Sequence, residues 1–388
     1  MDFRLGEKSE VFRKEAREFL GEVLTPEVLE RCHRTGVQHD EGFARAMRDK
    51  GWLAPGWPVE YGGQGRDPME VLAFSEEMAR ANAPTYALGT TMMIAWVIQQ
   101  VGTEEQKREI LPKALAAEIV IVLGFTEAEN GSDAAAAKTS AVRTGDGWTI
   151  NGSKMFTTNA HIGDYVFLLA RTNTEVPKHR GLTTFLVPMK QPGVEVRPVH
   201  TLSGERTNVT FYNDVFVSDS WRIGDVDGGW PVMGVALARE HTAGFVGEQD
   251  RLLANVEQWA RTATDEQGRP VIEDSGVRER LGKAATEAEV SRLLQRRAAW
   301  LSTVGIPAHA KGSMSKLFSS ERLERQAADL LELVGPDGVR SWGEPTAVQG
   351  GEIEHAVRHA KGTTIYAGSS EIQRNIIAQH GLGLPRGK

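Results

Sequence analysis

Two stretches of the chain combine glycine with hydroxyl-bearing residues in a way that suits ligand chemistry. One is GFTEAENGSD (Gly124–Asp133), followed closely by NGSKMFTTNA (Asn151–Ala160); the other is IYAGSSEIQRNIIAQHGLGLP, near the C-terminus. Such loops present backbone N–H groups and short donors to a phosphate or a planar heterocycle. The same residues also read as a β-turn and a helix cap, with Ser369-Ser370 preceding EIQRN. Other constellations point to bland roles. His355 and His359 lie four apart and could share a helix face as metal ligands, but no third ligand is apparent, so they read as polar surface histidines and no metal is expected. Glu76-Glu77 and Glu104-Glu105 read as solvated helix faces. Glu240, taken alone, reads as one more exposed helix carboxylate.

Several chemistries lack their usual signature. There is no Gly-x-Gly-x-x-Gly after a strand, no P-loop, no His-Glu-x-x-His and no Gly-x-Ser-x-Gly. The single cysteine, Cys32, excludes an intrachain disulfide and any cysteine-rich metal cluster. Lys and Arg total 45 against 52 Asp and Glu, a net charge of −7, which argues against a broad nucleic-acid surface. The N-terminal MDFRLGEKSEVFRKEAREFL is charged throughout and no window is apolar enough to span a bilayer, so a cytoplasmic location and no membrane association are expected.

The elements that must position these loops fall into three regimes. At 388 residues, with 40% hydrophobic and 25% charged, the chain is long and apolar enough for about two to three domains without staples. Residues up to about Glu118 read as helices: EKSEVFRKEAREFLGEVL, MEVLAFSEEMARANA, TTMMIAWVIQQV, and EEQKREILPKALAAE with Thr103 as its N-cap. From Gly147 short β-branched runs follow one another without helices between them, which predicts an antiparallel sandwich or small barrel. Within it, WTI, Asn151-Gly152 and SKMFTT predict a hairpin with a two-residue turn. After Gly228-Gly229 long helices return and suggest a bundle, with residues 262–276 as an exposed connection. The expected boundaries are 1–120 helical, 121–228 β and 229–388 helical.

An ordered series of landmarks now matters: WPVEYGGQG, VGTEEQK, FTEAENGSD, NGSKMFTT, HRGLTTFLVPM, PGVEVRPV, GGW and IYAGSSEIQRNIIA. Over nearly its whole length the chain resembles the acyl-CoA dehydrogenase family. That resemblance implies an N-terminal helical domain, a middle antiparallel β-barrel and a C-terminal four-helix bundle, and FAD as cofactor. Leu123 to Ser132 matches the segment lying along the isoalloxazine, with Phe125 and Thr126 nearest the ring and Gly131 and Ser132 toward the phosphate. Phe156 stands where the family usually has a Trp stacked on the flavin; Thr157 follows it, and Thr158 matches the hydroxyl near N5. Ser369, Ser370 and Glu371 match the pyrophosphate and ribose segment, and Gly335 in LVGPDG lies toward the adenine end.

The resemblance also places the acid–base chemistry. Dehydrogenation beside a thioester takes a proton from Cα and a hydride from Cβ, so a carboxylate must face the flavin across the substrate. Many members carry it immediately after the Tyr of the C-terminal loop, but Ala367 follows Tyr366 here. Isovaleryl- and long-chain-type members instead carry the Glu ten positions after an aromatic on the first helix of the bundle. Trp230 and Glu240 reproduce that spacing, which makes Glu240 the expected base. The Ala367 N–H can still donate to the thioester oxygen; Ser132, Tyr366, Arg239 and His241 are the other expected substrate contacts. Departures from the pattern are His241 in place of Arg, Phe156 in place of Trp, Glu332 in place of Gln, and no Arg-x-x-Phe-Gly segment, whose place 262–276 occupies. An electron-transfer flavoprotein is the implied acceptor, and a homotetramer or dimer the implied assembly. Two alternatives stand beside this reading: a flavin oxygenase or oxidase on the same fold, and a partner subunit of a hetero-oligomeric dehydrogenase.

Overall fold

The computed structural model describes residues 4–240 and 244–385. Six helices come first: α1 (Glu7–Val23), α2 (Pro26–Thr35), α3 (Glu41–Asp49), α4 (Pro68–Arg80), α5 (Tyr86–Val101) and α6 (Glu104–Leu115). Eight strands follow: β1 (Ile121–Gly124), β2 (Ser140–Thr144), β3 (Gly147–Lys154), β4 (Tyr165–Arg171), β5 (Leu182–Pro188), β6 (Val194–His200), β7 (Arg206–Ser218) and β8 (Arg222–Ile223). The chain then returns to helix in α7 (Gly229–Glu240), α8 (Val246–Thr262), α9 (Ser275–Thr303), α10 (His309–Val334), α11 (Glu352–Thr363) and α12 (Ser370–Ile376). The order helix, sheet, helix is the one expected. Local chemistry sets the starts: Thr103 and Gln106 form a capping box on α6, and Asp67 and Glu70 form another on α4. Among the described residues no helix is long and apolar enough to cross a membrane.

The chain divides into two compact units. The first comprises residues 23–66 and 84–239 and holds the sheet, which runs β6-β7-β3-β2-β4-β5-β8 with β1 beside β4. This corrects the expected sandwich or closed antiparallel barrel. The sheet is open, its end strands β6 and β8 do not pair with each other, and β1 runs parallel to β4 from Ile121↔Tyr165 to Gly124↔Leu168. β4 explains the arrangement. Its run YVFLLAR is apolar on both faces, with Phe167 and Leu169 packed on one core beside Ile94 and Ile98 of α5, and Val166, Leu168 and Ala170 on another with Trp148 and Phe185.

The predicted hairpin at Asn151-Gly152 is also corrected. β3 passes straight through these residues, and the β2–β3 turn lies at Gly145-Asp146 instead. Asn151 and Gly152 face an irregularity in β7, where Ile150 pairs with Val215 but Gly152 pairs with Tyr212. Two β7 residues, Asn213 and Asp214, thus oppose Asn151 alone; Asp214 takes φ 51, and the Asn151 side chain brackets it, Nδ2 donating to Asp214 Oδ1 at 3.0 Å and Oδ1 accepting from Asp214 N at 2.9 Å. Gly152 is required there because its φ is 142° and a Cβ would lie 2.7 Å from Thr139 Cα.

The second unit comprises residues up to 22, 67–83 and 240 onward. Helices α8, α9, α10 and α11 form the four-helix bundle, α10 packing on the other three and α8 on both α9 and α11. α4 packs on α8 and α9, and Phe12 of α1 stacks on Phe74 of α4 at 4.9 Å. The first helices of the chain are therefore shared out, α1 and α4 to this unit and α2, α3, α5 and α6 to the sheet unit. The connection expected at 262–276 runs from Ala263 to Asp274 between α8 and α9; it is mostly exposed, and Thr264 and Pro270 pair across it in an antiparallel bridge.

Two readings of charged residues change. Glu76 and Glu77 are buried, at 6% and 4% exposure, because α4 is covered by α1 as well as by α8 and α9. Arg13 pairs with Glu76, and Arg17 grips Glu77 through Nε and Nη2 at 2.7 and 2.9 Å. Burial raises the Glu76 carboxyl above its ordinary value, against the pull of Arg13. Glu77→Gln, which leaves the Arg17 guanidinium short of its counter-charge, is expected to cost about 1–3 kcal/mol, read as a lower urea midpoint at unchanged slope. His355 is likewise buried, at 7% exposure on α11, its ring 6.0 Å from that of His359. Among the described residues no third His, Cys, Asp or Glu joins them.

Candidate active site

In the sheet unit the two landmark loops are tied together. Met155 N donates to Thr126 O at 2.8 Å, which sets Phe125-Thr126 beside Phe156-Thr158. The loop after β1 closes on itself, with Glu127 and Asn130 exchanging backbone hydrogen bonds and Asn130 Nδ2 donating to Ala136 O at 2.7 Å. Leu123 is half-buried on β1, Phe125 and Thr126 are half-buried, and Gly131 and Ser132 are exposed at the loop tip.

Beneath these loops lies a buried ion pair that sequence reading passed over. Lys154 is fully buried at the end of β3, and its Nζ donates to Glu127 Oε1 at 2.8 Å and to Phe125 O at 3.3 Å. Glu127 also accepts from the backbone of Lys138 at 2.7 Å and of Thr139 at 2.9 Å. Burial alone would raise the Glu127 carboxyl; the Lys154 charge and these hydrogen bonds outweigh it and hold it at about 2. Burial pushes the Lys154 ammonium down to about 8 against the pull of Glu127. Alternation could have found this lysine, since it shares the parity of the buried Trp148 and Ile150.

The second loop is pinned from below and presents its next residues outward. Thr157 is fully buried; its N–H donates to Asn208 O at 2.8 Å, its carbonyl accepts from Asn208 Nδ2 at 3.1 Å, and its hydroxyl meets Thr210 at 3.3 Å. Thr157 thus anchors the loop, with Asn208 as a partner that no local signal disclosed. Phe156 is held at φ 58 and is 57% exposed, an apolar residue kept at the surface by an uncommon backbone conformation. The half-buried Thr158 hydroxyl lies 3.0 Å from that of Thr207. Asn159, at φ 64, is 1% exposed, and neither amide atom has a partner among the described residues. His161 is pushed down to about 4 by burial and by Arg206, so its ring is neutral at pH 7.

In the bundle unit the C-terminal loop links α11 to α12. Tyr366 is half-exposed, its ring 6.0 Å from Phe245, and Ala367 takes φ 54, so the chain turns sharply before Ser369. The Ser369 hydroxyl caps α12 by accepting from Ile372 N at 3.4 Å. Glu371 is exposed, its carboxyl lowered by its own backbone N–H and by Ser369. Ser370 is 7% exposed with its Oγ unpartnered among the described residues. Gly335 ends α10 at φ 75 with open space where a Cβ would point. The side chains of Arg239 and Glu240, the last two residues of α7, lie outside the described residues, as does all of His241.

Each set of groups, taken by itself, suits part of a flavin dinucleotide on chemical grounds. The sheet unit offers an exposed aromatic ring, a half-buried hydroxyl and an unpartnered buried amide; the bundle unit offers a hydroxyl-lined turn with an unpartnered buried Ser370 Oγ. Three family models match the chain: acyl-CoA dehydrogenase N-terminal domain over residues 6–118, middle domain over 122–215 and C-terminal domain over 227–382. The chain is 35% identical to a protein named acyl-CoA dehydrogenase FadE26 from Mycobacterium tuberculosis, over 98% of each chain. The crystal structure of the ChsE4-ChsE5 complex from Mycobacterium tuberculosis superposes with a TM-score of 0.92 at 35% identity, covering 100% of both chains. A structure described as the Tcur3481-Tcur3483 steroid ACAD superposes with a TM-score of 0.91 at 33% identity, also over 100% of both.

Proposed function

The chain belongs to the acyl-CoA dehydrogenase family, whose members are FAD-dependent oxidoreductases, and on that premise we propose that it introduces an α,β double bond into an acyl thioester. FAD, when bound, supplies the hydride acceptor. Glu240 would take the Cα proton, while the Ala367 N–H would donate to the thioester oxygen and hold the enolate charge as it develops. Phe125, Thr126, Phe156 and Thr158 would contact the ring, Phe156 excluding water from its face. Ser369, Ser370 and Glu371 would hold the pyrophosphate and ribose. Domains bounded at 120 and 228, a cytoplasmic location and an electron-transfer flavoprotein as acceptor belong to the same reading.

The observation that supports it is the Met155–Thr126 hydrogen bond at 2.8 Å, which ties the landmarks FTEAENGSD and NGSKMFTT together. The test is anaerobic bleaching of the flavin-loaded protein by a panel of acyl-CoA and carrier-protein thioesters, including one bearing a steroid ring system, since one solved relative is described as a steroid ACAD. Bleaching by at least one member is expected; none by any member overturns the dehydrogenation.

A second reading makes this chain one subunit of a hetero-oligomer. It is favoured by the connection between α8 and α9, where Asp265 Oδ1 accepts from Gln267 N and Arg269 N, both at 2.9 Å, in the place of the family's Arg-x-x-Phe-Gly segment. The two solved relatives above also carry two component names each. Protein that purifies yellow as a homodimer or homotetramer excludes this reading; protein that gains FAD only with a second polypeptide supports it.

A further inference from the structure

The turn before α12 is held by two buried side chains that none of its neighbours in sequence accounts for. Lys316, on α10, is 2% exposed, and its Nζ donates to Gly368 O at 2.7 Å. Gln373, on α12, is fully buried, and its Nε2 donates to Ala367 O at 2.9 Å and to Gly368 O at 3.3 Å. Both carbonyls are drawn inward by donors, one of them a full positive charge. The backbone needed for this is uncommon, with Ala367 at φ 54 and Gly368 at φ 84 in succession, and a Cβ on Gly368 would lie 2.7 Å from Gln373 Nε2.

In a trans peptide the N–H points opposite to the C=O of the same plane. Gln373 on the Ala367 carbonyl therefore fixes and polarises the Gly368 N–H, and Lys316 on the Gly368 carbonyl does the same for Ser369 N–H. Neither N–H meets an acceptor among the described residues. A buried ammonium acting through one peptide plane makes that N–H a stronger donor, and it adds positive potential where water cannot screen it. The Ser370 hydroxyl, more than nine-tenths buried and unpartnered, lies next in the chain.

We propose that Lys316 and Gln373 are positioning residues that preset the Gly368 and Ser369 N–H groups to receive a phosphate oxygen of the cofactor. Neither side chain touches the ligand; both act through the backbone. This rests on the reading above, in which the Ser369–Glu371 segment holds the FAD pyrophosphate.

The test measures FAD dissociation constants for the full chain, together with any subunit that purifies with it. Lys316→Met and Gln373→Met each remove the donor at similar volume, and each is expected to weaken FAD binding by about tenfold to a hundredfold. Gln373→Glu supplies a pH profile. Its carboxyl donates to the carbonyls only when protonated, so its FAD affinity is expected to fall as pH rises through that carboxyl's titration while the wild type stays flat. Lys316, whose Nζ meets the Gly368 carbonyl, is the charged neighbour of that site. Should Lys316→Met fail to fold, the two Gln373 variants carry the test. Unchanged FAD affinity in the folded Met variants, or a Gln373→Glu profile parallel to wild type, overturns the proposal. A wild-type protein that binds no FAD overturns the underlying reading instead.

Discussion

Glu240→Gln is expected to slow flavin reduction by acyl thioesters at least about a thousandfold, with FAD still bound and the melting temperature nearly unchanged. The amide has the size and helix preference of the glutamate and cannot accept a proton at any accessible pH. No other matched position can take over, because the residue after Tyr366 is Ala367, whose methyl group has no basicity. Stopped-flow bleaching under anaerobic conditions measures the effect, and a rate within tenfold of wild type would remove Glu240 from the mechanism. The same logic yields a rescue. Ala367 already takes φ 54 with a Cβ in place, so Ala367→Glu adds side chain without a new backbone demand. In the Glu240→Gln background it is expected to recover part of the lost rate, since on the proposed function a carboxylate at either position serves the same proton.

Glu127→Gln has the largest expected effect on stability. It strands the fully buried Lys154 ammonium and turns one of the two carboxylate oxygens, which accept separately from Lys138 N and Thr139 N, into an NH2 donor. Breaking one side of such a pair costs about 3–5 kcal/mol, seen as a melting temperature lower by about 5–10 °C. The loss should not stay local, because Lys154 also holds Phe125 O and hence the Phe125-Thr126 loop; on the proposed function, weaker FAD binding is expected alongside. The pH dependence has a definite sign. Glu127 sits at about 2 in the folded protein against an ordinary 4.5, so its stabilisation is fully present above 4.5 and drains away as pH falls toward 2. The gap in melting temperature between wild type and Glu127→Gln should therefore narrow from pH 5 to pH 3. A constant gap would show that the pair adds nothing electrostatic.

What could be read in advance was what short-range periodicity and capping control. Thr103 and its Gln106 partner, the helix–sheet–helix order and the exposed 262–276 connection depend on nearby residues, and they stand as expected. Pairings between distant segments were not legible. Nothing around Ile121 announces a parallel partner at Tyr165, and Asn151-Gly152 carries the signature of a turn while serving a bulge more than sixty residues away, with its Asn151–Asp214 hydrogen bonds spanning 63 positions. Glu76-Glu77 looked solvated because their burial depends on α1 arriving with Arg13 and Arg17. Lys316 did leave a trace: it shares a helical stripe with Ser313 and Ser320, all three buried, so a lysine flanked by small residues at that spacing faces inward. In the site, a resemblance named the outward-facing groups, while the buried supports, Glu127, Lys154, Asn208 and Gln373, emerged only with the packing.

The way the chain visits its two units has a consequence for biosynthesis. The ribosome releases α1 and α4 long before α8 and α9, against which α4 packs, so two helices of the bundle must wait while the whole sheet unit is made. During that interval Arg13 and Arg17 can already neutralise Glu76 and Glu77, and Phe12 can cover Phe74, giving the early pair a provisional partner. Nascent chains arrested before α8 emerges should accordingly resist protease across the sheet unit while remaining open to cleavage in α1 and α4.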